Sequence, residues 1–211
     1  MIARRSLVLA APLLALPSLT SAPAALAQQA DPSAPIAKLD QALLQAMRLG
    51  KGTPFAQRYQ VIAPAVQAAF DLPAILAASV GLGWAGLSAQ QKQALLAVFT
   101  RYTVASYAAN FDSYNGERIE ILPQQQRQVG QDTVVATQIV PAGGGPTRLD
   151  YVMRRTPQGW RAVDVLADGS ISRVAVQRSD FRSLVAGGNP DPLVASLNQK
   201  VNALSGGASL P

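Results

Sequence analysis

Residues 132–167, DTVVATQIVPAGGGPTRLDYVMRRTPQGWRAVDVLA, decide the fold. They hold three extended runs separated by two turn signals. Asp132 to Val140 is rich in β-branched residues and apolar on both faces, the pattern of a central strand. Gly143-Gly144-Gly145-Pro146 then turns the chain. From Thr147 to Arg155 the pattern alternates, with Leu149, Tyr151 and Met153 on one face and Arg148, Asp150 and Arg154 on the other. Thr156-Pro157-Gln158-Gly159 is a second turn, and Trp160 to Ala167 returns. Connections this short join antiparallel neighbours, so the segment is a meander.

Working outward, Arg118-Ile119-Glu120-Ile121 alternates polar and apolar and adds a half-buried strand. Everything before it has helical period. Ile36, Leu39, Leu43 and Met47 mark a first helix that stops at Gly50 and is capped by Ser33 or Asp31. Phe55, Tyr59, Ile62, Val66 and Phe70 mark a second, which Pro64 should kink or split. Asp71 and Pro73 open a third helix to about Val80. Ser88 and Gln91 form a capping box for a fourth, with the stripe Leu95, Val98, Phe99, Tyr102, Ala105 and Ala109. Beyond the meander, Asp168-Gly169 leads through a short strand, or directly, into a helix from Val174 to Val185. A last helix runs from Asp191 to Leu204 after the break at Gly187-Gly188-Asn189-Pro190. The expected class is α+β: N-terminal helices packed on a curved antiparallel sheet of about four strands, then C-terminal helices, a roll able to enclose an apolar cavity.

The N-terminus is organised differently. Arg4 and Arg5 precede an apolar stretch from Leu7 to Leu16, and Ala25-Leu26-Ala27 offers the small-x-small pattern of a signal-peptidase site. Pro12 and Pro17 interrupt the stretch, which is shorter than the roughly 20 residues that cross a bilayer. The expected organisation is a signal peptide over 1–27, a flexible leader over 28–34, one domain over 35–204 and a disordered tail over 205–211. Export with cleavage near Ala27 places the mature protein in the periplasm.

Composition narrows the chemistry. Eighteen Lys and Arg against 12 Asp and Glu give a charge of +6, and losing Arg4 and Arg5 leaves 16 − 12 = +4. The basic residues are scattered, so no nucleic-acid partner is expected. The chain has no Cys and no His. That excludes disulfides, thiol nucleophiles, a Ser-His-Asp triad and the usual zinc ligands, so no metal and no cofactor are expected. Gly81-Leu82-Gly83-Trp84-Ala85-Gly86 matches G-x-G-x-x-G in letters only, because a helix-like run precedes it where a dinucleotide site needs a strand.

Two clusters remain as chemical candidates. Asp150 and Asp164 fall on successive strands and could form an acid–base pair in a small roll enzyme acting on an apolar substrate. Ion pairing with Arg148, Arg154 and Arg161 explains the same residues without catalysis. Arg173, Arg178 and Arg182 lie loosely on one side of a helix, as a solvated face or as a patch for an anionic headgroup or acidic partner.

The order of motifs resembles the MlaC-type periplasmic lipid-binding proteins, also described as toluene-tolerance auxiliary proteins. The resemblance runs from Ile36 to Leu204. It is carried by Phe70-Asp71, by the stretch Phe99 to Glu117, by Trp160-Arg161-Ala162-Val163-Asp164-Val165, by Gly169-Ser170-Ile171-Ser172 and by Arg178-Ser179-Asp180-Phe181. Asp168 to Ser172 and Ala175 to Phe181 are worded more like the hopanoid-associated HpnM branch. Where a typical member has a G-V-S-L run and an N-Y-R-x-x-F helix, this chain has Ile171, Gln177-Arg178 and Phe181. The resemblance implies a non-catalytic monomeric carrier of a phospholipid or hopanoid, serving outer-membrane maintenance by docking transiently to inner- and outer-membrane complexes. The expected cavity wall, read from strand and helix faces, is Phe99, Tyr102, Tyr107, Val135, Ile139, Leu149, Tyr151, Val163, Val165, Ile171 and Val174. A non-binding envelope adaptor is the remaining alternative.

Overall fold

The computed structural model describes residues 31–211. The segment read as a signal peptide, 1–27, lies outside the described residues, as does the leader up to residue 30. Four helices come first: α1 (Ala34–Leu49), α2 (Phe55–Ala69), α3 (Leu72–Val80) and α4 (Ala89–Asn110). Six strands follow, β1 (Arg118–Ile121), β2 (Arg127–Val129), β3 (Asp132–Val140), β4 (Thr147–Thr156), β5 (Gly159–Ala167) and β6 (Ile171–Ser172). The chain ends with α5 (Arg173–Phe181), a 3₁₀ segment (Arg182–Gly188) and α6 (Asp191–Ser205).

Local sequence explains most boundaries. Asp31 accepts from the Ser33 amide and hydroxyl, and Pro35 sits in the first turn of α1, where its missing N–H costs nothing. Gly50 ends α1 at φ 73°, a conformation that disfavours any residue with a Cβ. α2 runs through Pro64 as one helix and does not split. The carbonyl that Pro64 leaves without a partner belongs to Gln60, an exposed residue where solvent can replace the lost bond. Asp71 caps α3 by accepting from the Ala74 amide at 3.0 Å. The capping box of α4 is complete: Gln91 N–H donates to Ser88 Oγ, and Ser88 N–H to Gln91 Oε1.

The sheet is antiparallel in the order β1-β3-β4-β5-β6, with β2 also paired to β3. β1 and β2 share one edge of β3, opposite Thr137 to Val140 and opposite Asp132 to Val134 respectively. β2 and β6 are short and lack apolar alternation, so the sheet has more strands than the four expected. The register slips once. Val152 pairs with Asp164 and Met153 with Ala162, leaving Val163 as the extra residue of a bulge.

The helices cover one face of the sheet. Val135, Tyr151, Met153 and Ala162 are buried beneath Ile36, Leu39, Ile62, Val66, Phe70 and other residues of the helical layer. The opposite face is polar but closed by ion pairs. Asp150 is fully buried between Arg127 (3.0 Å) and Arg148 (2.8 Å), and Arg154 holds Asp132 at 2.7 Å. The tail is described to its end, with Leu210 resting against the core.

One group works against the fold. Asp40 is buried on α1, and its Oδ1 has no hydrogen-bond partner among the described residues. Burial raises its carboxyl to about 7 from the usual 3.8. The native state therefore holds a proton that the unfolded chain releases, and stability present below about pH 4 is lost as pH rises through 7. Asp40→Asn keeps the neutral shape and should remove that loss. In urea titrations the wild type should weaken relative to the variant between pH 4 and 8, by about 1.4 kcal/mol per unit at most.

Candidate functional site

Helices and sheet meet tightly at one end and part at the other. At the closed end, Val135 pairs with Tyr151 and Thr133 with Met153, and the Phe70 ring sits 5.7 Å from Tyr107 and 6.1 Å from Tyr151. Farther along the same strands, Leu149, Ile139, Thr147, Val165 and Ala167 face an open cavity of about 620 Å³. That volume lies within the range of about 300–1,000 Å³ typical of small-molecule sites. α4 supplies the facing wall through Phe99, Tyr102, Thr103, Ser106, Tyr107 and Asn110, and α3 adds Leu72 and Ile75. α5 closes one side with Arg173, Val174 and Gln177.

The position of α5 is fixed by polar contacts. Asp164 accepts from the Val165 and Val174 amides at 2.8 and 3.0 Å and from the Ser172 hydroxyl. Ser172 in turn accepts from the Ala175 amide. Farther down, Gln177 accepts from the Ser79 hydroxyl at 2.9 Å, and Arg178 donates to the Ala78 carbonyl at 2.8 Å. These bonds hold α5 against α3 and the sheet edge, so the cavity wall is tied at both of its ends.

Seen against the sequence expectation, the structure brings Phe99, Tyr102, Tyr107, Ile139, Leu149, Val165 and Val174 together around the cavity. Val135, Tyr151, Val163 and Ile171 do not line it. Val135 and Tyr151 lie on the expected face but in the closed half, where Phe70 fills the space above them. Val163 is displaced by the bulge: Ala162 takes the inner place beside Met153 that strict alternation assigns to Val163. Ile171 sits in the edge strand β6, 51% exposed.

Polar lining residues escaped the sequence reading. Thr103, Ser106 and Asn110 share a face of α4 with the apolar stripe, and Glu117 and Arg173 also line the cavity. The Thr103 and Ser106 hydroxyls donate back to the Phe99 and Tyr102 carbonyls, which lets them face an apolar space without an unpaired donor. Their helical spacing from Phe99 was the available signal.

Neither carboxylate candidate is arranged for acid–base work. Asp150 is on the polar face of the sheet with both oxygens held by arginines. Asp164 is in no ion pair among the described residues; it caps α5, and Arg161 donates to the Gln67 and Ala68 carbonyls instead. Deep in the wall, burial pushes the Tyr107 hydroxyl well above its ordinary value, against the pull of the bond to Tyr151. Asp40 adds to the rise and Arg173 opposes it, and burial dominates, so Tyr107 stays protonated.

A family model described as MlaC protein matches residues 37–199. Among solved structures, this chain is similar to a phospholipid-binding protein from Ralstonia solanacearum, determined in complex with a phospholipid. The two superpose with a TM-score of 0.71 at 19% identity, over 83% of this chain and 99% of that one. The likeness shows the same α+β fold with helices over one face of an open antiparallel sheet.

The cap of α5 is open to direct test. Asp164→Ala removes the acceptor for the Val174 amide and should cost about 1–2 kcal/mol, the usual scale for an N-terminal cap. Urea unfolding at neutral pH measures the loss, and Asp164→Asn should recover part of it.

Proposed function

Since the chain belongs to the MlaC family, we propose that it binds a lipid in this cavity and carries it through the periplasm. The observation that carries the reading is the cavity itself: a space of about 620 Å³ walled by apolar side chains of α3, α4, α5 and the sheet. Each methylene moved from water into such a wall contributes about 0.8 kcal/mol. Ten of them supply about 8 kcal/mol before ordering costs, the scale of micromolar binding without any covalent bond. The closed end of the roll stops the chains, and the open side of the cavity leaves the headgroup at the surface.

The cargo is a phospholipid, as in the Ralstonia solanacearum protein, or a hopanoid, as the wording of Asp168 to Ser172 suggests. Delivery between inner- and outer-membrane complexes by a monomer completes the proposal. Binding fits these side chains better than catalysis, because Asp150 and Asp164 are both committed to structural bonds. An adaptor that binds no lipid has no use for a hollow of this size.

Native mass spectrometry of protein recovered from the periplasm tests the reading. A co-purifying lipid is expected, and extraction identifies its class. Leu149→Trp, which fills the middle of the cavity from β4, should retain the fold by circular dichroism and lose at least nine-tenths of the bound lipid. Wild-type protein that is consistently empty and takes up no lipid from vesicles would overturn the proposal.

A further inference from the structure

Among the described residues, the cavity wall contains a single basic side chain, Arg173, at the first position of α5. Most other arginines of this region are committed. Arg127 and Arg148 hold Asp150, Arg154 holds Asp132, Arg161 bonds two carbonyls of α2, and Arg178 bonds a carbonyl of α3. Arg173 makes no hydrogen bond and no ion pair among the described residues. Its backbone is fixed, because Asp164 and Ser172 accept from the amides that follow it, while its side chain is exposed.

Two carboxylates share the lining, and both are engaged elsewhere. Asp164 accepts from Val165, Ser172 and Val174, so its charge is spent on the start of α5. Glu117 folds onto Asn115, accepting from its amide. Across the cavity, Asn110 lines the facing wall with an amide that has no partner among the described residues. An apolar hollow with one uncommitted guanidinium at its edge matches a ligand that is greasy at one end and carries an oxyanion at the other. Guanidinium pairs with phosphate through two parallel charge-assisted hydrogen bonds, a geometry that a neutral hydroxyl cannot reproduce.

We propose that Arg173 reads the headgroup of the cargo by pairing with its phosphate ester, with Asn110 as a second donor, so that phosphate-bearing lipids are selected over neutral ones. The inference rests on the lipid-carrier reading and names the residue that sets its specificity. Arg173 is exposed at the cavity wall, with its side chain open to an incoming headgroup.

The test loads purified protein from detergent micelles containing equal amounts of phosphatidylglycerol, phosphatidylethanolamine and diacylglycerol with identical acyl chains, read by native mass spectrometry. Wild type should hold the two phosphate lipids over diacylglycerol by about tenfold, as expected for one well-placed charge-assisted contact. Arg173→Ala should reduce the ratio to near one while total lipid uptake persists, Arg173→Lys should keep part of it, and the exposed Arg182→Ala should leave it unchanged. Millimolar inorganic phosphate should not displace bound phospholipid; displacement with loss of the lipid would mark a free-phosphate site and overturn the inference. An Arg173→Ala ratio equal to wild type, or lipid held by wild type with no headgroup preference, overturns it as well and leaves the carrier reading standing. Wild type that takes up none of the three lipids overturns both.

Discussion

The helical layer is joined to the sheet at one backbone contact, and the rest of the molecule depends on it. Asp71 N–H donates to the Ala162 carbonyl at 2.9 Å, and Phe70 forms a parallel bridge with Ala162. The contact falls where α2 ends and α3 begins, so it fixes the position of both helices relative to β5. It is available because of the bulge at Val163, which turns Ala162 toward the helices beside Met153. The Phe70 ring then wedges between Tyr107 and Tyr151 and fills the closed end of the roll. A two-residue junction thereby determines where the interior is solid and where it is hollow.

The hollow half persists because its walls are tied by polar bonds as well as by apolar contact. Burial alone favours collapse of an apolar space of this size, since empty volume forfeits dispersion contacts. α5 is restrained at its start by Asp164 and along its length by Gln177 and Arg178. α4 is a 22-residue helix with α6 packed along it, stiff enough to bridge the opening. The hydroxyls on its cavity face bond their own backbone, so the wall presents little unpaired polarity to an apolar occupant.

Charge is distributed to suit this division. The polar face of the sheet neutralises itself in local pairs, with the buried Asp150 held between two arginines. Among the described residues, the interior of the helical layer keeps the carboxyl of Asp40, whose burial opposes ionisation near neutral pH. Burial holds the neighbouring Tyr107 and Tyr151 hydroxyls protonated as well. Arg58 is buried in the same layer but donates to the Ala108 carbonyl, whereas Arg173 brings a positive charge to the apolar lining of the cavity.

Sequence alone determined the class of fold, the helices up to Asn110 and the meander, because periodicity and caps are local properties. The capping box at Ser88 and Gln91, the stop at Gly50 and the turns at Gly145-Pro146 and Pro157-Gln158 each follow from a few adjacent residues. It also separated the face of β4 that points inward, since alternation there is unbroken. Tertiary structure decided the rest. Nothing local announces the bulge, whose inward-turned Ala162 meets Asp71, some 90 residues away in sequence. That slip removed Val163 from the cavity, and the Phe70 wedge removed Val135 and Tyr151. β2 was missed, and β6 was only one of two alternatives, because their pairing comes from neighbours rather than from their own pattern. Arg173 could be placed on a helix from its sequence, but only the packing of α5 against the sheet edge gave it a cavity to face.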